Sequence, residues 1–199
     1  MPTRRAVLAG LATLAFATQA NAAGKLVEAK KVFPYLDAYL RLAPGDRSRF
    51  RMAYYFKKDG KPLTAPIWLV DGGSRQPVAV RADGRVERLP TATQLDRARI
   101  QVDIDAGAKV GVSMSLEPTL APAVDLDARE LAAALLQAAS GIRKALGVLA
   151  LAMPKLDALQ FHGVTSGQVE FADGRRAALP VVKGILTFNP TTMPGASLR

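Results

Sequence analysis

Residues Arg47–Lys57 read RSRFRMAYYFK. Phe50, Met52, Tyr54 and Phe56 occupy every second position, while Arg47, Arg49, Arg51, Tyr55 and Lys57 fill positions between them. Alternation with a period of two puts apolar side chains on one face of an extended chain and cations on the other. A strand of this kind is covered on one side and wet on the other, which is the habit of an antiparallel sheet.

The same alternation recurs downstream. In RIQVDIDAGAKVGVSMSLE, which spans Arg99–Glu117, Ile100, Val102 and Ile104 alternate with Gln101, Asp103 and Asp105. After an Ala106-Gly107-Ala108 turn the alternation resumes with Val110, Val112, Met114 and Leu116. Between these two stretches lie three Asp-Gly pairs twelve residues apart: Asp59-Gly60, Asp71-Gly72 and Asp83-Gly84. Both residue types tolerate positive φ, so each pair suits a tight hairpin. Turn signals at that interval predict a sandwich or barrel, with strands at Ser48–Phe56, Pro66–Val70, Gln76–Arg81 and Arg85–Leu89.

Pro118 and Pro122 bound a linker, after which the period changes. Asp127 with Glu130 three residues later resembles a capping pair at a helix start. Leu131, Leu135, Ile142, Leu146, Leu149 and Met153 then follow helical spacing up to Pro154. Arg143 and Lys144 within this run oppose a bilayer span. The expectation is a core helix lying on the sheet, with a membrane-surface amphipathic helix as the other reading. A second hairpin follows around Asp173-Gly174, then a last strand in GILTF and a loose tail, TTMPGASLR. Tyr35–Leu42 reads as a short helix. The expected fold class is α+β: an antiparallel β-meander, sandwich-like or barrel-like, with one long Ala/Leu-rich helix packed on it. The run of Asp-Gly hairpins resembles transthyretin-like sandwiches in turn chemistry alone, and that resemblance transfers no residue roles.

The N-terminus carries a different signal. Arg4 and Arg5 precede an uncharged run, Ala6 to Ala17, and Ala20-Asn21-Ala22 supplies small residues for a signal peptidase. Residues 1–22 therefore read as a cleaved signal peptide, and 23–199 as a single mature α+β domain in the periplasm. Thr3-Arg4-Arg5-Ala6-Val7-Leu8 resembles a twin-arginine export signal but has Val7 where an aromatic is usual. Both the general secretory route and the twin-arginine route stay open. The expectation is no transmembrane helix in the mature chain.

Cleavage after Ala22 leaves 25 basic and 17 acidic residues, a net charge of +8. Arg41–Arg99 alone holds 13 Lys/Arg against six Asp/Glu. In an exported protein such an imbalance points to anionic envelope lipid or glycan as partner, not to nucleic acid. The candidate anion ligands are Arg47, Arg49, Arg51, Lys57 and Arg99. Residues two apart on one strand face lie about 7 Å from each other, and guanidinium forks match phosphate or carboxylate oxygens. A solvated edge strand kept apart by positive charge gives the same pattern.

There is no cysteine, so no disulfide is available to an exported chain. His162 is the single histidine, and no metal or other cofactor is expected. No phosphate-binding glycine loop or nucleophile elbow is present. A non-catalytic binding or envelope-associated protein is the expectation. Paired carboxylates such as Asp103 and Asp105 leave a hydrolase of envelope polymers as the alternative. Docking of a protein partner on the alanine-rich helix or a sheet edge is a third reading.

Overall fold

The computed structural model describes residues 5–9, 26–105, 108–121, 123, 125–152, 155–193 and 197–198. The expected cleavage site, Ala106-Gly107, Pro122 and Met153-Pro154 lie outside the described residues. In chain order the early strands are β1 (Arg5–Ala9), β2 (Val27–Glu28), β3 (Phe50–Lys58), β4 (Lys61–Pro62), β5 (Ile67–Asp71) and β6 (Ser74–Pro77). They are followed by β7 (Arg99–Val102), β8 (Val110–Pro118), β9 (Leu126–Asp127), β10 (Ala158–His162) and β11 (Gln168–Glu170). The last are β12 (Arg176–Ala178), β13 (Val181–Val182), β14 (Ile185–Phe188) and β15 (Ser197–Leu198). The α-helices are α1 (Ala29–Val32), α2 (Leu36–Arg41), α3 (Ala92–Arg97) and α4 (Ala128–Leu146). Their pairings are antiparallel, and the fold is α+β with one long helix. Among the described residues no sheet closes into a barrel.

The chain divides into two compact units. The first takes in Met1–Ala12, Leu42–Met52 and Ser115–Arg199, and the second Thr13–Arg41 and Ala53–Met114.

In the first unit, β10 pairs with β14 on one side and β1 on the other, and Leu8 of β1 also pairs with Leu116 of β8. β11 pairs with both β12 and β15, so the tail residues Ser197 and Leu198 form a strand, which in turn pairs with β9. α4 begins where the capping signal predicts. The Asp127 carboxylate accepts from the Arg129 N–H at 2.8 Å, satisfying one of the free amides of the first turn. Its buried stripe is Leu131, Ala134, Leu135, Ala138 and Gly141. Burying Leu131 and Leu135 stabilises by about 1.5–3 kcal/mol each. Gly141 lets the helix approach β3 closely: a Cβ there would lie 2.9 Å from Phe50 Cζ. Residue spacing alone carries the helix toward Met153, but it ends at Leu146. Gly147 takes φ +55° there and its N–H caps the Arg143 carbonyl. A 3-10 turn, Gly147–Ala152, follows.

In the second unit, the sheet order is β2-β7-β5-β6. Register follows the alternation: Ile67 opposes Val102 and Leu69 opposes Ile100, all four buried. β3 and β4 form a hairpin closed by Asp59-Gly60, with φ of +51° and +79°. Tyr54 is fully buried here, edge-on to Phe33 at 5.2 Å, and its hydroxyl donates to the Pro34 carbonyl. α3 carries a reciprocal capping box between Thr91 and Gln94.

β7 and β8 do not form a hairpin: β7 pairs with β2 and β5, and β8 with β1. The expected strand Arg85–Leu89 is reduced to bridges at Arg85 and Val86, opposite Tyr55 and Val80. Two turns are built alike, Arg81-Ala82-Asp83-Gly84-Arg85 and Phe171-Ala172-Asp173-Gly174-Arg175. In each, the Asp carboxylate accepts from the Arg N–H two residues on, at 3.2 and 3.0 Å. In each, the glycine N–H donates to the first carbonyl of the turn. The repeated A-D-G-R sequence thus encodes one local structure twice.

Candidate functional site

The five candidate cations fall in both units. Arg47, Arg49 and Arg51 belong to the first, and Lys57 and Arg99 to the second.

Arg47 is not on the strand. It ends the 3-10 turn Pro44–Arg47, and its Nε donates to the Leu42 carbonyl at 3.1 Å. Gln137 of α4 anchors both this turn and the entry to β3. Its side-chain oxygen accepts from the Arg49 N–H at 2.6 Å, and its Nε2 donates to the Gly45 carbonyl at 2.8 Å and to Ser48 Oγ at 3.1 Å. Thr119 adds a second clasp, its N–H and Oγ1 each donating at 2.9 Å to the carbonyls of Arg49 and Ser48 respectively. The Arg49 guanidinium makes an ion pair with Glu130 of α4. Arg51 Nε lies 3.3 Å from a Glu117 carboxylate oxygen. Glu117 is 3% exposed, the one buried charged side chain among the described residues. A carboxylate out of water needs a cation beside it, and Arg51, 46% exposed at its side chain, is that cation. Arg49 and Arg51 therefore face carboxylates of this chain, which largely offset their positive charge.

The second unit differs. Lys57 is half-buried on β3, opposite Pro62, and Arg99 is exposed on β7 between Val70 and Glu28. Neither forms an ion pair with any described residue. Lys61, Arg81 and Arg88 share that condition among the described residues. Register places Arg75, Val70, Arg99 and Glu28 in one row across the outer face of the four-stranded sheet. Trp68 stands on the same face two residues from Val70, with the Arg75 guanidinium 4.1 Å from its ring centre. Trp68 Nε1 donates to Asp103 at 2.7 Å, and Arg75 Nη2 reaches the same carboxylate at 3.1 and 3.2 Å.

Asp103 is thus held by an indole and a guanidinium, and Asp105 lies 3.8 Å from Lys58. His162 ends β10, exposed, opposite Ile185. No three His, Cys, Asp or Glu side chains among the described residues gather as metal ligands. No described helix is long and apolar enough to cross a membrane.

Sequence reasoning overlooked Glu117, Glu130 and Trp68. The Asp127–Glu130 spacing predicts a capping pair, but Asp127 alone caps α4, and Glu130 instead pairs with Arg49, 81 residues away in sequence. Trp68 sits in IWLVD, where the outward positions of the alternation identify it as surface. No known family, curated protein or solved structure matches the chain.

Proposed function

We propose that the chain is an exported, non-catalytic binding or envelope-associated protein of the periplasm whose cationic surface takes an anionic lipid headgroup or acidic glycan. The reading is supported chiefly by one observation. Lys57, Lys61, Arg81, Arg88 and Arg99, all of the second unit, make no ion pair among the described residues. Such cations keep their full charge for an external partner, whereas Arg49 and Arg51 are matched internally. The ligand contacts are assigned to Lys57, Arg99 and the other unmatched cations of this unit, while Arg47, Arg49 and Arg51 make contacts within the chain at the β3 entry. The leader and the absence of cysteine fit an exported chain held together by packing.

Native mass spectrometry of the processed protein, purified gently from the exporting cell, tests this. A bound lipid or glycan that dissociates as salt is raised is the expected result. A spectrum of the bare polypeptide at every ionic strength counts against the reading.

A further inference from the structure

The strand β1 is part of the expected signal peptide, yet it occupies an interior place in a sheet. All five of its residues pair antiparallel with β10, from Arg5 opposite His162 to Ala9 opposite Ala158. On its other edge Leu8 pairs antiparallel with Leu116 of β8. β10 is already paired with β14 on its far side. A cut after Ala22 would remove β1 and leave a strand-wide vacancy between β10 and β8.

Geometry opposes simple closure of that vacancy. Adjacent strands lie about 4.8 Å apart, so the two flanks are separated by roughly twice that distance. Because β1 is antiparallel to both, β10 and β8 run parallel to each other and have no hairpin to draw them together. The flanks are also apolar. Leu116, Leu159 and Phe161 are 3%, 0% and 5% exposed in the full chain. Unpaired backbone beside such residues is a template for another strand.

We infer that removal of the leader opens a strand-acceptor slot on the first unit, filled by an extended segment of a partner protein. The chain's own leader shows what fits. The guest runs antiparallel to β10 and carries apolar residues at the two alternate positions opposite Leu159 and Phe161, which Leu8 and Ala6 hold in the precursor. The position opposite Gln160, held by Val7, lies on the other face and is less restrictive. The inference rests on leader cleavage and is independent of the anionic ligand.

The test uses the processed protein and a fluorescently labelled peptide of residues 3–10, TRRAVLAG. Its anisotropy should rise saturably at one peptide per chain. Leu8→Asp in the peptide should weaken binding at least about tenfold, because it sets a charge at the register position opposite the buried Leu159, and Val7→Asp much less. The full-length precursor, its slot already filled, should not bind. An intact mass retaining Arg5–Ala9 would overturn the inference. So would absent binding with slowly exchanging Ala158–His162 amides, which would mean that the slot had closed. A processed protein that dimerises through β10 would overturn the assignment of the slot to a partner. Vesicle binding is read separately, so loss of the anionic reading leaves these outcomes unchanged.

Discussion

Replacing Tyr54 by phenylalanine should change stability by an amount that depends on pH, with the deficit of the variant shrinking to nothing in alkali. Tyr54 is fully buried and donates to the Pro34 carbonyl, and burial pushes its phenol well above the ordinary range near 10. At neutral pH the substitution leaves a carbonyl without its donor, a cost of about 1–1.5 kcal/mol. Above about pH 10 the unfolded chain releases the phenolic proton while the folded chain retains it. Stability tied to Tyr54 is therefore complete below that pH and declines as pH rises, by about 1.4 kcal/mol per pH unit. The phenylalanine variant has no proton to lose at this position, so the two proteins should become equally stable near about pH 11. Ionisations common to the two proteins cancel in the difference. Urea unfolding followed by far-UV circular dichroism, at intervals from about pH 7 to 11, measures that difference. A stability gap that stays constant through the series would refute the burial argument.

Other substitutions test the turns and caps. Gly84→Ala should destabilise by several kcal/mol or prevent folding, because its Cβ would lie 2.4 Å from the Phe56 carbonyl oxygen at φ +85°. Gly45→Ala, with nothing within 4 Å, should stay within about 0.5 kcal/mol of wild type in the same urea assay. Thr91→Ala removes the α3 capping box and should cost about 0.5–2 kcal/mol. The hydrogen bonds and charge of Arg175 hold the Asp173 carboxyl below the usual carboxylate range. Its contribution is thus present above the unfolded pKa of about 4 and lost as pH falls through the lower folded value. Asp173→Asn should be the less stable protein at neutral pH, with the difference vanishing in acid; a difference independent of pH would contradict the pairing.

How much of the fold and of the cationic site was legible in sequence depended on the range of the interaction. The alternation in Arg47–Lys57 located β3 because strand period is a property of the backbone itself. Asp127 located the start of α4 because a cap acts within one turn, and Asp59-Gly60 located its hairpin likewise. Nonlocal partners were not legible. The arginine row looked free because Glu117 and Glu130 lie 66 and 81 residues away in sequence. Arg47 kept the alternation of the strand but entered a 3-10 turn, where Pro44 fixes φ and Gln137 holds the segment from α4. Ile100–Val102 and Val110–Leu116 read as one meander, yet their strands pair in different sheets. Alternation specifies a face but not a neighbour. Thr91-Ala92-Thr93-Gln94 carried the capping-box pattern of α3, so that helix could have been found.

The most direct test of the anionic reading is charge reversal at its unmatched cations. Wild type and Lys57→Glu/Arg99→Glu would be sedimented with vesicles of anionic phospholipid and with vesicles of phosphatidylcholine, at low and high salt. Lys155→Glu/Lys183→Glu, an equal charge change on the first unit, serves as the comparison. The account predicts salt-sensitive binding to anionic vesicles alone, lost at least about tenfold in Lys57→Glu/Arg99→Glu and mostly retained in the comparison variant. Equal binding by all three proteins, or equal loss in both variants with circular dichroism unchanged, would contradict it.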